Sequence, residues 1–164
     1  MPSPAGAADA TSPTEHEVKA AYLYNFAKYV EWPPAAPAGP TWVVGILGNG
    51  EFGEVLAKTL EGKTARDRSF VARRLGGVAE ASKVHILYIG ASEEPRLPSI
   101  LKALEGTGVL TVSDIDGFAE KGGMIGFRMD GKKVRFDISP QQASRSGIRI
   151  SSQLLTVARV VPSR

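Results

Sequence analysis

The pattern G-x-G-x-x-G over residues 48–53 is the clearest candidate for chemistry in this chain. An apolar run that predicts a strand precedes it, and a segment that predicts a helix follows. In that context the backbone amides at a helix N-terminus bind the pyrophosphate of a dinucleotide. The candidate ligand-binding residues are therefore Gly48, Asn49, Gly50, Glu51 and Gly53.

Two other interpretations of this loop stay open beside dinucleotide binding. Arg73 and Arg74 stand roughly 20 positions on, where a dinucleotide site has an acidic ribose ligand, so the enzyme interpretation would be an NADP site. No nucleophile, acid and base set accompanies the loop, and we expect neither a cofactor nor enzymatic activity. The loop is more simply a tight strand-to-helix turn, or a sensing site for a small anion or nucleotide.

The remaining chemical candidates predict structural roles. Asp114 and Asp116 form a D-x-D pattern, but hard cations need more converging oxygens than the sequence offers, so no metal site is expected. Asp114 or the preceding Ser113 is expected to cap a short helical turn. His16 and His85 have no cysteine or histidine neighbour and are expected to be hydrogen-bonded structural residues.

A β-hairpin carries the candidate partner-binding residues. The dipeptide Asp130-Gly131 predicts a two-residue turn with positive φ at both positions, which sets Met129 opposite Lys132. Period-two alternation then places five apolar residues on one face and four charged ones on the other. Arg128 would face Lys133, a like-charge pair. The candidate contacts for an acidic partner are Arg128, Lys133 and Arg135 on the hairpin and Tyr24 on the first helix.

Composition narrows the class of protein. The chain has 164 residues, 43% hydrophobic and 23% charged, which suits one globular domain. The net charge of +3 is small, and its basic residues lack interleaved aromatics, so nucleic acid is not an expected partner. No apolar run approaches the roughly 18 residues of a membrane span, so we expect no membrane insertion. We expect residues 1–13 to be a flexible leader that starts after a removed signal peptide, and 14–164 to be one domain.

Helices and strands alternate through the middle of the chain. Thr14 and Glu17 form a capping box that opens a helix, which Pro33-Pro34 ends. The predicted later elements are strands at 42–47, 69–74, 84–89 and 108–112 and helices at 51–60 and 98–104. This order predicts an α/β fold with a mostly parallel sheet and helices on both faces. It is a Rossmann-like three-layer arrangement, extended at one edge by the antiparallel hairpin at 123–138.

Two segments resemble the YfiR-like family. Residues 18–33 carry its Lys-Ala-Ala…Asn-Phe…Trp-Pro pattern. Residues 122–155 carry its Gly-Gly-Met-Ile strand, its Arg-Phe-acid-Ile strand and its Ile-Ser-Ser-x-Leu-Leu helix. The resemblance covers about residues 15–161.

The resemblance implies a non-enzymatic, periplasmic regulator. Such proteins resemble repressors that bind the periplasmic part of an inner-membrane diguanylate cyclase and lower cyclic-di-GMP, and other members are linked to histidine kinases. The resemblance also implies a possible homodimer. Relatives carry cysteines, some of them in disulfides, whereas this chain has none, so disulfide reduction cannot control it.

Overall fold

The computed structural model describes residues 14–34 and 36–161, so the expected leader at 1–13 lies outside the described residues. The α-helices are α1 (Glu15–Tyr29), α2 (Phe52–Leu60), α3 (Leu97–Leu104), α4 (Pro140–Arg145) and α5 (Ser152–Thr156). The strands are β1 (Val30–Glu31), β2 (Thr41–Leu47), β3 (Thr64–Ala65), β4 (Arg68–Arg74), β5 (Ile86–Ile89), β6 (Leu110–Ser113), β7 (Ile125–Asp130), β8 (Lys133–Ile138), β9 (Arg149–Ile150) and β10 (Arg159–Val160). Three 3₁₀ helices lie at Val78–Lys83, Ala91–Arg96 and Phe118–Lys121.

An eight-stranded sheet in the order β10-β8-β7-β6-β5-β2-β4-β3 forms the centre of the described structure. Strands β4, β2, β5, β6 and β7 run parallel, whereas β3 is antiparallel to β4 and β8 is antiparallel to β7. The first parallel strand, β2, lies between the second and the third. This is the strand order of doubly wound flavodoxin-like sheets, in which ligands bind where the order reverses.

Helices cover both faces of the sheet, which confirms the predicted α/β three-layer fold. Alternate residues of β2 belong to different core clusters: Trp42, Val44 and Ile46 to one, Val43 and Leu47 to the other. Helices α1 and α2 supply apolar residues to the first cluster, and α3 supplies them to the second. We call these the α1 face and the α3 face.

The hairpin forms as predicted, but its register differs. Asp130 pairs with Lys133 and Phe127 with Phe136, so the turn residues are Gly131-Lys132 rather than Asp130-Gly131. Gly131 has φ 63°, and neither Asp130 nor Lys132 has a positive φ. A single positive φ at the first turn position is typical of a type II′ turn, not of the predicted type I′. Arg128 therefore faces Arg135 instead of Lys133.

The register correction leaves the two faces of the hairpin as predicted, because Phe127 pairs with Phe136 instead of Val134, and a shift of two residues keeps every side chain on its face. Phe127, Val134 and Phe136 are buried on the α1 face, and Tyr22 packs against Phe136 with a ring distance of 5.1 Å. The hairpin is not the last element of the sheet. The short strand β10 pairs in parallel with Asp137 and Ile138 at its outer edge.

The two segments that carry the family resemblance pack against each other. Strand β1, directly after α1, pairs with β9, so Val30 faces Ile150. The ring of Pro33 then fills the space beside two glycines: a Cβ on Gly108 would lie 2.8 Å from it, and one on Gly147 3.2 Å. The capping box that opens α1 is confirmed, with the Glu17 amide donating to Thr14 Oγ1 at 3.1 Å. The two segments that carry the resemblance therefore belong to one packed unit.

Candidate functional site

The glycine loop connects β2 to α2 at the carboxyl ends of the parallel strands. Its neighbour across the point where the strand order reverses is the loop after β5, and the Asn49 amide donates to Ser92 Oγ there at 2.9 Å. The two loops pack closely, since a Cβ on Gly48 would lie 2.9 Å from that same oxygen. Glu51 caps α2 by position, but its side chain makes no cap hydrogen bond.

Arg74 crosses this loop and packs against its last glycine, Gly53. Its guanidinium donates to the carbonyl oxygens of Gly48 and Gly50, each at 3.1 Å. A Cβ on Gly53 would lie 2.8 Å from Arg74 Nη2, so this glycine makes room for the arginine. Arg74 is therefore engaged by the loop, whereas Arg73, the other arginine of the NADP interpretation, is exposed.

A cavity of about 270 Å³ lies between the glycine loop and the start of α1. Six side chains with polar groups line it, namely His16, Asn49, Glu51, Arg74, Tyr88 and Asp114. Lys19 is buried on α1 and pairs with the Asp114 carboxylate at 3.2 Å and also with Glu15. The other oxygen of that carboxylate, Oδ1, is buried without a hydrogen-bond partner among the described residues.

Tyr88 is the most strongly perturbed group of this cavity. Burial raises the pKa of its hydroxyl far above the ordinary value, and the nearby Asp114 carboxylate raises that pKa further. The hydroxyl is therefore neutral at physiological pH and acts as a hydrogen-bond donor. A neutral tyrosine beside a carboxylate that is paired with a lysine can orient a small ligand. The two residues are not the pair of nucleophile and general base that covalent catalysis uses.

The two carboxylates of the D-x-D pattern lie in different environments. Asp114 is paired with Lys19, and Asp116 is exposed. Within residues 14–34 and 36–161 no group of three His, Cys, Asp or Glu residues converges on one point. The Ser113 hydroxyl accepts from the Ile115 amide at 2.9 Å, but neither expected residue caps the following 3₁₀ helix, whose N-cap is Gly117 without a side-chain hydrogen bond.

One of the predicted partner contacts, Arg128, belongs to a charge network around Asp137. Arg128 Nε donates to Asp137 Oδ1 at 2.8 Å, and Arg159 donates to both oxygens of that carboxylate, at 3.0 and 2.9 Å. Burial raises the pKa of Asp137, but hydrogen bonds from Arg159 and Arg128 outweigh it, so the net shift is downward. Alternation placed Asp137 on this face, whereas no sequence signal predicted that Arg159 would reach it.

Arg135 and Lys133 are exposed on the same face. Arg135 lies 3.8 Å from Asp130, a surface pair, while Lys133 makes no ion pair with any described residue. Surface pairs of this kind contribute little stability. The three hairpin cations thus share one face, with Arg128 held in place and the other two largely hydrated.

Tyr24 lies apart from the hairpin, against β3 and β4. It is half-buried, its hydroxyl donates to the Thr64 carbonyl at 3.0 Å, and its ring packs against Phe70. Lys28 Nζ lies 4.4 Å from the centre of the Tyr24 ring. The structure therefore does not bring the four predicted contacts together, and Tyr24 is occupied by packing within its own domain.

The comparison with protein families identifies the chain. Residues 16–159 match the YfiR/HmsC-like family. The chain belongs to this family. It is an α/β family of cyclic-di-GMP regulators that are generally non-enzymatic.

A solved structure with the same fold extends the comparison to architecture. The ABC domain from Streptococcus pneumoniae, solved in complex with L-Trp, superposes with a TM-score of 0.55 at 13% identity. The match covers 73% of this chain and 55% of that chain, so this chain spans little more than half of its length. At this identity the likeness is one of fold. None of the described helices is long and apolar enough to cross a membrane.

Proposed function

We propose that this protein is a periplasmic regulator that binds the periplasmic part of an inner-membrane diguanylate cyclase and represses it. The observation that carries the proposal is the family match over residues 16–159, which spans both segments that pack around Pro33. The expected result of repression is a lower cellular level of cyclic-di-GMP. A histidine kinase sensor region is the alternative partner.

The mechanism that fits a non-enzymatic regulator is a population shift. A repressor that binds one conformation of the cyclase more tightly than the other lowers the fraction of active enzyme. Moving a two-state equilibrium from 99:1 to 1:99 requires a difference of about 10⁴-fold in affinity. A stable protein interface is needed for such a difference, and the hairpin and its surroundings offer the charged surface for one.

Co-expression tests this proposal. The mature chain is exported to the periplasm of a cell that expresses the membrane cyclase of its own organism, and cyclic-di-GMP is measured by mass spectrometry. Repression predicts a several-fold drop relative to cells with the cyclase alone. An unchanged level, with both proteins present at their correct location, would rule out the repressor function.

A second candidate function is the sensing of a small anion or nucleotide by residues 48–53. The cavity of about 270 Å³ beside this loop, at the point where the strand order reverses, supports it. The amide groups at the start of α2 would hold the anion, and the neutral Tyr88 hydroxyl would donate to it.

Thermal unfolding with inorganic phosphate and with AMP as probes tests this candidate. Gly50→Asp sets a carboxylate in the loop and should abolish any stabilisation by the probe. Gly39→Asp is the matched control, since both glycines have similar φ (129° and 127°) and open space around the missing Cβ. If neither probe raises the melting temperature of the wild type, the proposal that this loop senses an anion of this class is wrong.

A further inference from the structure

The outer edge of β8 is only partly covered. Strand β10 pairs with Asp137 and Ile138, and no other described strand pairs with β8 on the side away from β7. The stretch from Lys133 to Phe136 therefore presents its outward backbone groups without a strand partner in the described part of the chain. Such an edge is a template for pairing with another extended segment.

Charged and apolar side chains alternate along this edge. Lys133 and Arg135 are exposed on the α3 face, whereas Val134 and Phe136 are buried on the α1 face. Val160, on the adjacent β10, is 48% exposed. An incoming strand would thus meet two cations on one side and apolar surface on the other.

The cations of this surface have more charge than their partners neutralise. Arg128 and Arg135 face each other across the hairpin, and like charges in directly opposed positions are destabilising. Arg128 uses its Nε for Asp137 and makes no other hydrogen bond to a described residue, so its terminal nitrogens are available. A carboxylate placed beside these two arginines would relieve their repulsion and accept charge-assisted hydrogen bonds.

We propose that the Lys133–Phe136 edge of β8 binds an extended segment of the protein partner in which acidic and apolar residues alternate. The segment adds a strand to the sheet, with its backbone bonded to β8. Its acidic side chains lie beside Lys133 and Arg135, and its apolar side chains extend the buried row of Val134 and Phe136. Asp137 acts as a positioning residue that fixes Arg128. This inference rests on the proposed function for the identity of the partner, not for the chemistry of the site.

A labelled peptide tests that chemistry directly. The probe is acetyl-Glu-Val-Glu-Val-Glu-Val-amide, titrated with the wild-type protein and followed by fluorescence anisotropy. We expect saturable binding that weakens as salt rises. Lys133→Glu with Arg135→Glu should reduce the affinity at least about tenfold. Lys58→Glu with Lys63→Glu, a charge-matched control on α2 and the turn that follows it, should not.

Two further probes separate strand pairing from simple charge attraction. A peptide of the same composition in the order Glu-Glu-Glu-Val-Val-Val and a peptide N-methylated at alternate residues should both bind more weakly. Equal binding of all three peptides, or equal loss in the two double variants, would overturn the inference. So would sedimentation showing that the edge is closed by a second copy of this chain, released by Lys133→Glu with Arg135→Glu.

The cyclase assay distinguishes this inference from the proposed function. If the wild type lowers cyclic-di-GMP and the folded Lys133→Glu, Arg135→Glu variant lowers it equally, the edge is not the docking site although the regulator function stands. If the wild type has no effect while the peptide results hold, the partner identity is wrong and the strand-binding edge stands. The expected result is loss of repression in this variant alone.

Discussion

At the scale of individual residues, one carboxylate binds two of the arginines at the hairpin edge. The side chain of Asp137 is only 9% exposed and accepts hydrogen bonds from Arg128 and Arg159, which lie on different strands. Because both donors are charged, these are among the stronger hydrogen bonds that a protein forms. Asp137 thus joins β7, β8 and β10 at the edge of the sheet.

The substitution Asp137→Asn should lower the free energy of unfolding by about 1.5–3 kcal/mol, the usual value for a charged hydrogen bond. Urea denaturation measures it. Asp130→Asn is the matched control, since that carboxylate is exposed and 3.8 Å from Arg135, and its loss should have almost no effect. Equal destabilisation by the two substitutions would contradict the network.

His85 is a second residue whose environment determines its charge. Its Nδ1 accepts from the Val43 amide at 3.0 Å, in the position where a backbone carbonyl would continue the β2–β5 ladder. Its Nε2 lies 2.8 Å from the Pro37 carbonyl, and two tryptophans pack edge-on against the ring. This explains why β5 begins at Ile86, two residues later than the apolar pattern predicted.

The pH dependence of stability follows from this burial. Burial lowers the pKa of His85 below 6.5, the Arg68 charge lowers it further, and the hydrogen bond to Pro37 only partly opposes them. Below pH of about 6.5 the unfolded state therefore binds more protons than the folded state, and the free energy of unfolding falls as pH falls. His85→Asn, whose Oδ1 can still accept from Val43, should show a flatter dependence from pH 7 to pH 5. An unchanged slope in urea titrations would contradict this assignment.

At the scale of elements, a glycine sets the contact between a 3₁₀ helix and the hairpin. A Cβ on Gly123 would lie 2.1 Å from the Phe118 ring, and that ring is only 1% exposed. Gly123→Ala should therefore destabilise the protein by about 1–3 kcal/mol through overpacking. Gly77→Ala is the control, because its backbone is extended and nothing lies within 4 Å of the missing Cβ. Denaturation curves that coincide for the two variants would refute the contact.

The alternating strands and helices were predictable because one face of each must be buried. Apolar residues therefore recur with a different spacing in strands and in helices. The hairpin shows the limit of this reasoning. Alternation correctly placed Phe127 and Phe136 on the buried face, but two registers satisfy the same pattern. The choice between them depends on which turn residue adopts a positive φ, and Gly131 takes the first turn position rather than the second.

Contacts between distant elements were less predictable. Nothing in the local sequence indicates that Arg74 spans the glycine loop or that Arg159 reaches Asp137, because each contact joins positions that only the complete sheet brings together. The same holds for Tyr24, a candidate partner contact in the sequence, which β3 and β4 supply with contacts inside the protein. Sequence patterns indicate which face a residue occupies, but not which neighbour lies there.

At the scale of the whole molecule, the absence of cysteine is a functional constraint. With no thiol in the 164 residues, no disulfide can form or break within the chain. Dithiothreitol should therefore leave both the melting temperature and the affinity for a partner unchanged. Differential scanning fluorimetry with and without reductant measures the first quantity. A shift of several degrees would contradict this expectation.

The partly open edge of β8 also affects how the protein behaves when no partner is present. Exposed strand edges promote aggregation, and inward- or outward-pointing lysine and arginine side chains are a common protection against it. Lys133 and Arg135 supply that protection here, through the same charges that would recognise an acidic segment. Neutralising both would leave a row of unpaired amides beside Val134 and Phe136. We therefore expect the free protein to depend on these two cations to stay dispersed at high concentration.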